Sequence, residues 1–352
     1  MVVDHNEKLI ISVSPHIQNR ESTVSMIYIV ILFLLPACIF GFMSFGLSAV
    51  VIVLLSILFS VLTEIVCQLV MRRPVTIYDG SAILTGLLLG MTMPPSVPLY
   101  IPILSSIFAI AIVKQAFGGL GQNWANPAIA GRVFATLSWP VKMQTWLPPF
   151  SSDGLTAATP LSAVQSALLN GGNYGNESSI QLLDTLSGDV LRSQIDYLRM
   201  FFGFRGGCIG EVSAFLLVLA ALFLLYRKII TIDIPISFLS SAAIMAWIFE
   251  GTKFGCPLFT GDPLFHLLSG GMILAAFFMA TDVVTTPITT KGRVIFGIGC
   301  GVITMLIRIW GSYAEGVGLA ILFMTMLTPA IDRYVRNYPA GWHKKRKKLN
   351  EN

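Results

Sequence analysis

The sequence predicts an all-α polytopic membrane protein of about ten transmembrane helices, arranged as two inverted five-helix halves. Three observations carry that prediction. Hydrophobic residues make up 55% of the chain and charged residues only 12%, a balance far too apolar for a soluble domain. The apolar residues fall into runs of membrane-spanning length, five before and five after one long polar segment. Basic residues collect at alternate ends of those runs, as the positive-inside rule requires. The net charge of +5 therefore marks membrane topology and does not suggest nucleic acid.

Residues 1–23 are polar, too long for the charged start of a signal peptide, and no small-residue cleavage site follows the first apolar run, so that run is expected to be retained. The first membrane half covers 24–139. No charge occurs from Ser22 to Thr63, enough chain for two spans of ~20 residues with a turn near Gly41 to Gly46, and Arg72-Arg73 closes the second. Ser81 to Met93 is short, contains glycine and stops at Pro94-Pro95, the pattern of a partial or broken span. Pro98 to Val113, ending at Lys114, and Trp124 to Trp139 complete this half.

An external loop is expected over 140–206, with only Lys142, Arg192, Arg199 and Arg205 as basic residues. The second half, 207–333, holds runs at Gly207 to Tyr226, Pro235 to Ile248, Pro263 to Thr281, Val294 to Trp310 and Gly316 to Ile331, and 334–352 is a basic tail. With both termini cytoplasmic, Lys8, Arg20, Arg72-Arg73, Lys114, Arg227-Lys228, Lys291, Arg293 and the tail share one side. Five spans per half means that similar halves insert in opposite senses. Gly80-Ser81-Ala82-Ile83-Leu84 through Met93 indeed resembles Ser269-Gly270-Gly271-Met272-Ile273 through Asp282, an inverted repeat that would place a site between the halves.

Polar residues in apolar runs are functional candidates, because a charge at the bilayer centre costs at least ~2.5 kcal/mol. They are Glu64 with Gln68 on the same helical face, Arg132, Glu211, Asp282 and Arg308, and His266 opens a span. The competing reading places each at a span end, where it only snorkels. The five cysteines show no CxxC spacing and read as packing residues. Gly297-Ile298-Gly299-Cys300-Gly301 has glycines like a dinucleotide loop but sits inside an apolar run, without the strand that motif requires. No catalytic side chain or metal site is expected.

The loop carries one motif of its own. In Asp153-Gly154-Leu155-Thr156-Ala157-Ala158-Thr159-Pro160-Leu161, a turn opener is followed by small residues and then by a hydroxyl directly before proline. Thr159 is placed as the N-cap and Pro160 as the first residue of a helix continued by Leu161, Val164, Ala167 and Leu168. An oxygen there points at free N–H groups and the positive end of the macrodipole, a place that favours negative charge.

Several blocks together resemble one family. They are Ser14-Pro15-His16, Asp79-Gly80-Ser81-Ala82 leading to Pro94-Pro95, Gly118-Gly119-Leu120-Gly121-Gln122-Asn123-Trp124-Ala125-Asn126-Pro127-Ala128, and Phe265-His266-Leu267-Leu268-Ser269-Gly270-Gly271 through Ala280-Thr281-Asp282. The chain is similar, from about Ser14 to Tyr334, to the D-type subunit of the Rnf-type ion-translocating electron-transport complex. It is more distantly similar to the B-type subunit of the sodium-translocating NADH:quinone oxidoreductase. The resemblance implies a bacterial inner-membrane subunit with FMN joined to Thr159 as a phosphoester by a flavin transferase on the outer side. Asp153, Gly154, Thr156 and Ala158 match the attachment pattern, and Ala157 departs from it where glycine is usual. It further implies a second, non-covalent flavin, riboflavin, whose position the residues do not give, and partners that are the other subunits of the complex. The cofactor would carry the redox chemistry while the protein positions and tunes it, with Na⁺ or H⁺ movement coupled to electron relay. A cofactor-free channel or secondary transporter is the alternative that an inverted repeat also allows.

Overall fold

The computed structural model describes residues 22–150, 161, 193–203, 206–253, 257–259, 261–282, 284–311, 313 and 315–335. Among the described residues every regular element is helical. The apolar run after Ser22 becomes two antiparallel helices, α1 (Thr23–Phe45) and α2 (Leu47–Val70), divided by Gly46 with φ of 70°. That is a left-handed turn which glycine adopts without penalty, and it falls where the sequence predicts a turn. Leu32, Ile39 and Met43 on α1 stay exposed while Leu34, Ala37 and Cys38 are buried. One face thus meets lipid and the other meets protein.

After Arg72-Arg73 the chain enters a short helix, α3 (Ser81–Met91), introduced by Gly80 in a left-handed conformation with φ of 72°. Eleven residues rise about 16 Å, roughly half a bilayer core, which matches the partial span expected there. α4 (Tyr100–Gln115) returns to the side of Arg72, and its second half, Phe108–Gln115, is π-helical. α5 (Pro127–Ser138) starts with Asn126 capping the N–H groups of Ala128 and Ile129, and Pro127 sits at its first position. The short α6 (Pro140–Met143) leads into the loop.

In the second half, α7 (Ser193–Phe202) lies within the segment read as loop. It is followed by α8 (Ala214–Tyr226) and α9 (Asp233–Lys253). α10 (Pro263–Leu268) stops at Ser269. α11 (Met272–Leu274) resumes after Gly270, whose φ is 65°, and runs on as a π-turn over Ala275–Met279. α12 (Thr290–Trp310) and α13 (Val317–Tyr334) end the described chain. Two expected spans are therefore corrected. The run from Gly207 is non-helical to Ser213, because Ile209 and Gly210 spend their N–H groups on the carbonyls of Met93 and Met91 at the end of α3. The run from Pro263 is broken in the middle, at Ser269 to Gly271.

Glycine pairs four residues apart let helices touch. A Cβ at Gly86 or Gly90 of α3 would come within 3 Å of α2 backbone atoms of Ser56, Ile57 or Val53. At Gly297 and Gly301 of α12 it would strike α9 at Ile234 O and Phe238 O in the same way. Small residues at this spacing are how membrane helices approach closely. The glycine run on α12 is thus a packing seam.

One cavity touches Thr23, Lys114, Leu224 and Ile229, Lys114 pairs with Glu64, Arg293 pairs with Asp233, and Ile288 N donates to Asp332, so the helix ends next to Arg72, Arg227-Lys228, Lys291 and Arg333 gather on one side, the basic side. The loop leaves from the opposite, loop side, where Phe150 donates its N–H to Ser44 O beside the Gly46 turn. α3 begins on the basic side and α11 on the loop side, so the two short helices enter the core from opposite faces, each after a left-handed glycine.

Candidate functional site

On the basic side, Glu64 of α2 is 1% exposed and Lys114 of α4 equally so. The sequence placed Lys114 at a span end. The structure instead buries it, and Nζ donates to Glu64 Oε1 at 2.6 Å and to Ser81 Oγ at 2.6 Å. Gln115 Nε2 donates to the same Glu64 oxygen at 2.7 Å. These two neighbouring residues that reach one atom lie at the end of the π-helical segment, a distortion common at functional sites. Gln68, expected beside Glu64, lies 3.4 Å from Oε1 and exchanges hydrogen bonds with Thr76. Glu64 Oε2 is buried without a partner.

Next to this pair lies a cavity of about 190 Å³, lined by Lys114, Asn123, Asn126, Phe277 and Asp282 among others. Asn126 Nδ2 donates to Met279 O at the end of α11 and so ties the two halves together here. Asn123 Oδ1 and Trp124 Nε1 are buried with no hydrogen-bond partner. A buried amide oxygen left unmade costs about 1–3 kcal/mol, which suits a site whose ligand brings the missing donor. Asp282, a sequence candidate, lies at this cavity and accepts from Thr285 Oγ1 at 3.2 Å.

The loop side holds a second cluster at the junction of the halves. Arg132 of α5 pairs with Glu315, and its Nη1 donates to Cys208 Sγ at 3.2 Å. Cys208 Sγ and carboxylate oxygens of Glu211 and Glu315 lie within 4.8 Å of one another. Arg308 of α12 donates to His266 O at 2.7 Å and to Ser269 O at 3.1 Å, so it holds the carbonyls freed by the break between α10 and α11. Glu211 rests in the other side of that break: a Cβ on Gly271 would sit 2.2 Å from its Oε1. A cavity of about 70 Å³ opens beside the cluster, lined by Arg132, Glu211, Gly271, Tyr313 and Glu315 and by Trp146 from the chain entering the loop.

Three of the five sequence candidates, Arg132, Glu211 and Arg308, thus meet in one place, while Glu64 and Asp282 lie toward the basic side. Glu315, Cys208 and Lys114 were missed. The signal for Glu315 was only an acid close to a span start. Nothing in the spacing marked Cys208 as polar-contacting. His266 is buried, with Nε2 3.1 Å from Glu250 Oε1 but out of hydrogen-bond alignment. Glu250 Oε2 in turn accepts from Asp262 N, and Asp262 from the Tyr197 hydroxyl, which makes this a brace between α9 and α10. The attachment residues Asp153, Gly154, Thr156, Ala158 and Thr159 lie outside the described residues. Leu161, just beyond them, is helical and buried.

Fold and site define a class: a polytopic α-helical membrane protein whose two halves enclose buried ionic clusters at opposite depths. Within that class the chain belongs to the NQR2, RnfD, RnfE family, whose model matches residues 10–341. It is 44% identical, over 94% of its length and 96% of the relative's, to the D-type subunit of the proton-translocating ferredoxin:NAD(+) oxidoreductase complex of Clostridium ljungdahlii. It is 42% identical, over 93% of this chain and 94% of the other, to the D-type subunit of the Na(+)-translocating ferredoxin:NAD(+) oxidoreductase complex of Acetobacterium woodii. To the corresponding subunit of the ion-translocating oxidoreductase complex of Stutzerimonas stutzeri it is 37% identical, over 94% and 95% of the two chains.

Proposed function

We propose that this chain relays electrons through an FMN held on Thr159 by a phosphoester bond, and that the relay is coupled to movement of Na⁺ or H⁺. The coarser statement follows from its family and relatives: the chain is a multi-pass membrane subunit of an ion-translocating oxidoreductase complex, and so part of a redox-driven translocase. The observation that carries the finer one is the loop motif, with Thr159 placed as a hydroxyl before Pro160 in a member of this family. A phosphate at a helix N-terminus is stabilised by free N–H groups and the macrodipole. The positive-inside rule puts the basic side and both termini in the cytoplasm of a bacterial cell, so the loop faces outward, where a flavin transferase would act.

Two groups of residues suit flavins. On the loop side, Trp146 offers an aromatic face and Arg132 a cation beside the cavity nearest the loop. On the basic side, Asn123 Oδ1 lacks a donor, which the N–H at the edge of an isoalloxazine ring would supply; this supports the cavity there as the site we propose for a non-covalent riboflavin. When bound, flavins would supply the one- and two-electron chemistry, while the protein excludes water and sets the local field.

The test is in-gel flavin fluorescence of the denatured chain, co-expressed with a flavin transferase. Fluorescence in the wild type and none in Thr159→Ala supports the covalent reading. Its absence from both, with transferase activity verified on another target, refutes that reading. Solute flux through liposomes would then test the transporter alternative.

A further inference from the structure

We infer that Glu211 is a proton-exchanging carboxyl, which takes up one proton when negative charge enters the loop-side cavity and releases it when that charge leaves. The inference rests on the reading above in one respect, that electrons reach a carrier in this chain.

Geometry singles out this carboxyl. Glu211 is fixed from below by the non-helical chain 207–213, which is pinned to the end of α3 through the N–H groups of Ile209 and Gly210. Its Oε1 occupies the space that a side chain at position 271 would fill. Its Oε2 is buried and has no hydrogen-bond partner. The residue lines the cavity and, like Glu315 at 17% exposure, is only part-buried, so a proton has a route to it.

The groups facing it from neighbouring elements are Arg132 on α5, Arg308 on α12, Glu315 and Tyr313 ahead of α13, and Cys208 on its own segment. Arg132 gives hydrogen bonds to Glu315 and to the Cys208 thiol, and Arg308 gives two to backbone carbonyls. With both carboxylates ionised, two guanidinium groups balance them and the cluster is neutral. Any added negative charge is then uncompensated in a low-dielectric site, where Coulomb energies are several times those in water. Glu315 already accepts the guanidinium of Arg132. Glu211 has a vacant oxygen, so it is the acid on which a proton restores neutrality at least cost. The step balances as carboxylate plus H⁺ giving carboxylic acid, with the electron delivered by the redox partners of the complex and the proton by water at the cavity mouth.

The experiment is reduced-minus-oxidised infrared difference spectroscopy on the purified complex, for wild type, Glu211→Gln and Glu211→Asp. In the wild type a protonated-carboxyl stretch is expected to appear on reduction and to shift in D₂O. It is expected to vanish in Glu211→Gln and to return, displaced, in Glu211→Asp, whose shorter acid also guards against a folding defect in the amide variant. A band that persists unchanged in Glu211→Gln, or is missing from the wild type, overturns the assignment. So does a spectrum that responds to Na⁺ instead of to D₂O and loses that response in Glu211→Gln. Flavin fluorescence of the same preparations is read separately. Its loss of support for Thr159 would refute the covalent carrier, while the infrared band alone decides Glu211.

Discussion

Arg132 and Glu315, 183 positions apart, form an ion pair that joins the first half of the protein to the second at the mouth of a buried cavity. The pair is neither lipid-facing nor a snorkelling contact, since the two side chains are only 13% and 17% exposed. Removing the carboxylate leaves the guanidinium with only Cys208 Sγ and the neighbouring Glu211 carboxylate to turn to. Glu315→Ala is expected to cost about 3 kcal/mol, the low end for a broken buried pair because some water reaches this one. Thermal unfolding in detergent checks it. A loss well under 1 kcal/mol would reduce the pair to a surface-like contact.

Glu64 and Lys114 are more deeply buried, and there the coupling itself is measurable. Glu64→Gln and Lys114→Met are each expected to destabilise by about 3–5 kcal/mol, because each strands its partner. The double variant should fall well short of the sum. A double-mutant cycle by denaturant unfolding tests this, and strict additivity would show that the pair is not coupled.

The seam between α9 and α12 makes a prediction with an internal control. At Gly301 a Cβ would lie 2.0 Å from Ser241 Oγ and 2.6 Å from Phe238 O, whereas at Gly299 it would meet the movable end of Met324. Gly301→Ala should therefore cost about 1–3 kcal/mol by overpacking, and Gly299→Ala clearly less. Equal melting temperatures for the two variants would contradict a backbone-limited contact.

Asn123→Leu removes the amide oxygen that faces the basic-side cavity. Acid-extractable, non-covalent flavin in the purified complex is expected to drop about tenfold or more, the equivalent of one buried hydrogen bond. Any covalent flavin, proposed above at Thr159, should be retained. Chromatography of extracted and protein-bound flavin separates the two, and an unchanged extractable fraction would move the second flavin elsewhere.

Much was legible from patterning. The spans, the glycine turn at Gly46, the half-length α3 and the shared face of Glu64 and Gln68 all follow from apolar periodicity and from glycine and proline punctuation. The break at Ser269 to Gly271 was not foreseen, because Pro263 to Thr281 reads as one unbroken apolar run. What sustains the break is Arg308, 39 positions away from Ser269, which donates to carbonyls that would otherwise be stranded. The burial of Lys114 is hidden for a similar reason: its partner Glu64 is 50 positions distant, and charge at the end of a run looks the same whether it faces water or a carboxylate.

The sequence by itself determined that this chain is a membrane protein, how many apolar runs it has and which family it resembles. Those are properties of composition and local order, which neighbouring residues encode. Only the tertiary structure decided that Arg132, Cys208, Glu211, Arg308 and Glu315 share one cluster, and that Glu211 keeps an unpartnered oxygen within it. In a low-dielectric interior the state of a charge depends on what lies within a few ångströms, and those neighbours are brought together by helices that the sequence keeps far apart.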